Sequence, residues 1–79
     1  MINSITRFRI TVIALPGKAM FVVVPAAQAP DVRRLFEQHG IAHTEEPLPA
    51  HNGAAAQHVL HIADASDPRQ VQAILDRAP

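Results

Sequence analysis

"AMFVVVP", residues 19–25, is the stretch on which the reading of the fold turns. A short, β-branched apolar run closed by a proline marks a strand. Side chains on a strand alternate between two faces. Phe21 and Val23 therefore share one face, and Met20, Val22 and Val24 share the other. Both sets are apolar, so whichever set packs on the core, the other still needs a cover.

Upstream, "RFRITVIAL" (7–15) alternates more informatively. Phe8, Ile10, Val12 and Ala14 form one face, and Arg9, Thr11, Ile13 and Leu15 the other. This reads as a first strand, joined to 19–25 through the Pro16-Gly17 turn as a hairpin. If Leu15 pairs near Lys18, Val12 lies opposite Phe21 and Ile10 opposite Val23. These residues, with Phe8, then face the helices. The uncovered face carries Arg9, Thr11, Ile13, Met20, Val22 and Val24. A slip of one residue exchanges the faces of 19–25.

Downstream, "AQAPDVRRLFEQHG" (27–40) predicts a helix. Pro30 and Asp31 suit its first turn, Val32, Leu35, Phe36 and His39 form its apolar stripe, and Gly40 is a natural C-terminal stop. "IAHTEE" (41–46) follows as a third strand. "PLPAHNGAAA" (47–56) is a loop with an Asn52-Gly53 turn signal, and "QHVLHIA" (57–63) is a fourth strand. "DASDPRQVQAILDRAP" (64–79) ends in a helix with Asp67 as N-cap, Pro68 at its first position and Gln70 placed for a capping box. Its stripe is Val71, Ile74, Leu75 and Ala78.

The order ββαββα predicts one α+β domain over residues 1–79, a two-layer sandwich. From the second strand onward the order βαββα lacks only the last strand of a ferredoxin-like sandwich. The first strand supplies it, as in a circular permutant. A right-handed crossover leaves a slot that strand four fills. The expected sheet is antiparallel and four-stranded, in the order 1-2-4-3, with both helices on one face.

Composition narrows the function. The 79 residues hold no cysteine, which removes disulfides and thiolate ligands. A domain this short buries only about 60–65% of its unfolded surface, so a partner is an expected source of stability. Seven basic residues balance seven acidic ones, and the three Phe are the only Phe, Tyr or Trp residues. That combination argues against nucleic acid, which attracts basic excess and aromatic platforms. Zero net charge leaves self-association unopposed. The N-terminal run resembles a secretory signal in outline, but Pro16-Gly17-Lys18 interrupts it too early. No stretch approaches the ~20 apolar residues of a membrane span. A cytoplasmic protein without membrane contact is the expectation.

His58 and His61, three apart on a strand, point to opposite faces and cannot form a ligand pair. With Asn52-Gly53 as the turn centre, His43 comes near residues 61 and 62. A His43, His61 and Glu45 set is the candidate metal site, of a kind suited to zinc or iron. Ser66 and Asp67 read as a helix start and no catalytic triad is legible. Glu45 and Glu46 point apart, and Arg33-Arg34 read as a solvated helix face.

The expectation is a non-enzymatic, cofactor-free interaction or adaptor module. It self-associates, or binds a partner protein, through the uncovered sheet face or the first edge strand. The interface set is Arg9, Thr11, Ile13, Met20, Val22, Val24, Val59 and His61, because exposed apolar patches mark interaction sites. The alternatives are a small-ligand sensor, with a metabolite at a dimer seam near residues 47–54, and a metal-dependent enzyme or carrier using His43 and His61.

Overall fold

The computed structural model describes residues 1–17, 19–63 and 66–78. Lys18 in the first loop, Asp64 and Ala65 ahead of the last helix, and the terminal Pro79 lie outside the described residues. The elements are β1 (Ile13–Ala14), β2 (Met20–Pro25), α1 (Ala29–Gln38), β3 (His43–Leu48), β4 (Gln57–Ile62) and α2 (Pro68–Arg77). The strands form one antiparallel sheet in the order β1-β2-β4-β3, as the sequence predicts.

The second hairpin forms around the expected dipeptide. Asn52 and Gly53 both take positive φ, +49° and +81°, which is the backbone of a two-residue type I′ turn. His51 and Ala54 exchange hydrogen bonds across it, at 3.2 and 2.9 Å. That turn fixes the register: His43 opposite Ile62, Thr44 opposite His61 and Glu45 opposite Leu60.

The first hairpin differs from expectation. Leu15 N–H donates to Ala19 O at 2.7 Å, so the loop holds residues 16–18, one residue more than a Leu15–Lys18 pairing allows. Gly17 takes φ +79° in that loop, a conformation open to glycine. The extra residue shifts the register by one and places Ile13 opposite Phe21. Met20, Val22 and Val24 therefore lie beneath the helices, at 7%, 0% and 0% exposure. They do not lie on the uncovered face.

β1 is also far shorter than residues 7–15. Residues 1–9 fold back as a small hairpin, with Asn3 N–H donating to Phe8 O at 2.8 Å and Arg7 N–H to Asn3 O at 2.9 Å. The buried Asn3 side chain accepts from the Ile5 and Thr6 amides. Gln28, at the N-cap of α1, ties this hairpin down by donating to Ile2 O and accepting from Ser4 N. Phe8 is thereby 77% exposed instead of facing the helices. Arg9 pairs with Asp76 of α2 at 3.5 Å. Ile10 is buried and Val12 packs against the core, as expected. Their backbone is held by Gln72 of α2, whose side-chain amide donates to Ile10 O at 3.0 Å and accepts from Val12 N at 2.8 Å.

The core lies between one sheet face and both helices. Val22 and Val24 of β2 and Leu60 and Ile62 of β4 meet Val32 and Phe36 of α1 and Val71 and Leu75 of α2. Each such side chain contributes about 1.5–3 kcal/mol by leaving water. Pro30 stands at the start of α1 and Gly40, at φ +66°, follows its C-cap His39. Asp67 caps α2 by accepting from Arg69 N at 2.9 Å. Among the described residues, no helix is long and apolar enough to cross a membrane.

Candidate functional site: the open face of the sheet

Strand pairing sorts the exposed side chains. On the face away from the helices, Ile13, Phe21, His61 and Thr44 stand in one row across β1, β2, β4 and β3. Val23, Val59 and Glu46 form the next row. On this face β1, β2 and Val59 of β4 are apolar, His61 is polar, and β3 carries Thr44 and Glu46 with Leu48 at its end. Ile13 is 42% exposed and Leu15, two residues along, is 52% exposed. Phe21 and Val23 are half-buried. Val59 is buried although no helix covers it, because it sits on the central strand between Val23 and Glu46.

His61 lies at the boundary between the two halves. Its Nε2 stands 3.0 Å from Glu46 Oε1, a diagonal neighbour on β3. Its ring centroid lies 6.2 Å from that of Phe21, directly opposite on β2. Both members of the His61–Glu46 pair are about half exposed.

The helix-facing side of β3 and β4 carries a second polar group. Arg33 of α1 donates Nε to Glu45 Oε1 and Nη2 to Glu45 Oε2, both at 2.9 Å. His58 Nδ1 is paired with Glu45 Oε2. The Arg33 guanidinium, and after it His58, hold the Glu45 carboxyl down at about 2 against the opposing effect of burial. In return, Glu45 pushes the Arg33 pKa further up. His43 uses Nδ1 on Ile41 O at 2.9 Å and meets Phe36 edge to face at 5.4 Å.

Each predicted site residue can now be placed. Ile13, Val59 and His61 belong to the open face, as expected. Met20, Val22 and Val24 belong to the core. Arg9 is drawn toward α2 by Asp76, and Thr11 lies between the two backbone groups that Gln72 holds. His43 and Glu45 face the helices while His61 faces away, so the sheet itself separates the proposed ligand set. Both Glu45 oxygens are already engaged. Among the described residues, no group of three or more His, Asp or Glu could hold a metal ion within the chain.

Leu15 and Leu48 are exposed, and the half-buried Phe21 and Val23 join the open face, where the expected register had hidden them. Arg33, read as solvated, is the principal partner of Glu45. Nothing local in the sequence announces that contact, because it joins a helix to a strand. No protein family model, characterised protein or solved structure matches the chain.

Proposed function

We propose that this chain is a small non-catalytic interaction module that self-associates through the open face of its sheet. The observation that carries the reading is the in-register row of Ile13 and Phe21 beside Val23 and Val59, apolar and without a helix over it. Apolar patches of this kind mark interaction sites in soluble domains. The topology supports describing the architecture as a circularly permuted ferredoxin-like sandwich, in which this face is the one left bare.

A second copy fits this face on three counts. The chain has zero net charge, so copies do not repel at long range. Its core is small, and burying a further face offsets that. The face also matches itself. A two-fold axis lying between the sheets, across the strands and between the two rows, sets the apolar half against the apolar half. It likewise sets the β3 side against the partner's β3 side. Such an isologous contact closes at a dimer, and facing sheets pack about 10 Å apart.

The sheet edges favour this mode over edge-to-edge pairing. β3 carries Pro47, which has no amide to donate. β1 spans two residues, and the chain before it turns to Gln72.

Light scattering coupled to size exclusion tests the reading. Wild type is expected to be a dimer at micromolar concentration, and Phe21→Glu and Val23→Glu to be folded monomers. A wild-type monomer at the highest attainable concentration, or variants that still dimerise, would overturn it.

A further inference from the structure

We propose that His61 and Glu46 are half of a zinc site, completed by the same two residues of a second copy across the open face. This rests on the self-association reading above and adds a ligand to it.

The pair is built for the task in three respects. First, its spacing fits. Around a tetrahedral zinc, with bonds of about 2.0–2.2 Å, neighbouring ligand atoms stand about 3.3 Å apart. His61 Nε2 and Glu46 Oε1 stand 3.0 Å apart, so they already define one edge of such a tetrahedron. The ion would replace the proton they share. Second, the pair is held by paired strands: Thr44 is registered to His61 and Glu46 to Val59. Third, the pair is accessible, with side chains 46% and 58% exposed. His58 and His43 differ, because each is engaged by a group on the helix-facing side.

One chain supplies only two ligands here, and among the described residues no intrachain group of three exists. The two-fold axis that matches the apolar halves also completes the set. It runs between the row of His61 and the row of Glu46. It therefore brings the His61 of one copy into the row of the partner's Glu46, and the reverse. Two imidazoles and two carboxylates then converge at the polar side of the interface. Imidazole with carboxylate suits zinc, whereas calcium and magnesium prefer oxygen alone. Two glutamates balance the double positive charge, so the closed site is neutral.

The test uses untagged full-length protein, stripped with EDTA and then titrated with zinc chloride. Sedimentation velocity reads the dimer and equilibrium dialysis reads bound metal. Zinc is expected to tighten dimerisation at least tenfold, at one ion per two chains. His61→Ala and Glu46→Gln are expected to keep the fold and to lose the zinc response. Cobalt in place of zinc is expected to give the strong visible absorption of a tetrahedral site.

A dimer that is equally tight with and without zinc and retains no ion overturns the metal site and leaves the open-face reading standing. A monomer under both conditions overturns both. Zinc binding that survives His61→Ala and Glu46→Gln also overturns the assignment.

Discussion

Arg33 grips Glu45 with two parallel hydrogen bonds, Nε to Oε1 and Nη2 to Oε2, each 2.9 Å long. The arrangement ties α1 to β3 and holds the Glu45 carboxyl down from 4.5 to about 2. Between those two pH values the unfolded chain binds the proton and the folded chain does not, so acid favours unfolding. The contribution is fully present above about pH 4.5 and disappears as pH falls through about 2. The Arg33 side chain is 43% exposed, so solvent screens the pair. Urea unfolding is expected to show Glu45→Gln less stable than wild type at pH 7. The gap is expected to close toward pH 2.

Val22 and Val23 are adjacent in sequence and opposite in fate. Val22 is fully buried against the helices and Val23 lies on the open face. Val22→Asp puts an unpaired carboxylate into the core, a cost of several kcal/mol, and is expected to abolish cooperative thermal unfolding. Val23→Asp is expected to keep the wild-type circular dichroism spectrum. If the two variants behaved alike, the register of the first hairpin would be wrong.

The Gln72 amide does for residues 10–12 what a neighbouring strand does, donating to Ile10 O and accepting from Val12 N. Gln72→Ala leaves both backbone groups to find water. The expected loss is about 1–2 kcal/mol. Hydrogen exchange is the sharper readout: the Val12 amide is expected to lose protection while the amides of β4 keep theirs.

Gly40 ends α1 at φ +66°, with its N–H on Glu37 O and the next N–H, from Ile41, on Phe36 O. A Cβ there meets nothing within 4 Å, so the cost of Gly40→Ala is conformational alone, about 1 kcal/mol. Gly40→Asn is expected to cost less, since asparagine tolerates the left-handed region. Thermal melts of the two variants side by side check the order.

Much of the candidate site was open to reading along the chain. The Asn52-Gly53 signal located the second hairpin, and period-two alternation separated His58 from His61 and put His61 beside Val59. The pairing of His61 with Glu46 was one register step away. Reading Thr44 as the residue opposite His61 makes Glu46 the diagonal neighbour. His43 lies on the helix-facing side, away from His61, because a shift of one residue on a strand changes the face.

By itself, the sequence determined the element order, both helices with their stops, the strand order 1-2-4-3 and the existence of a bare apolar face. Each of these follows from local periodicity, turn chemistry or the handedness of crossovers, which act over a few residues or through general chain geometry. Only the tertiary structure decided which face of β2 is the core. From Met20 to Val24 every residue is apolar, so alternation carries no direction, and one extra loop residue at 16–18 made the choice. The tertiary structure also bent residues 1–12 away from β2: Gln28 holds the backbone of Ile2 and Ser4, and Gln72, some sixty residues distant, holds that of Ile10 and Val12, partners that no local pattern shows.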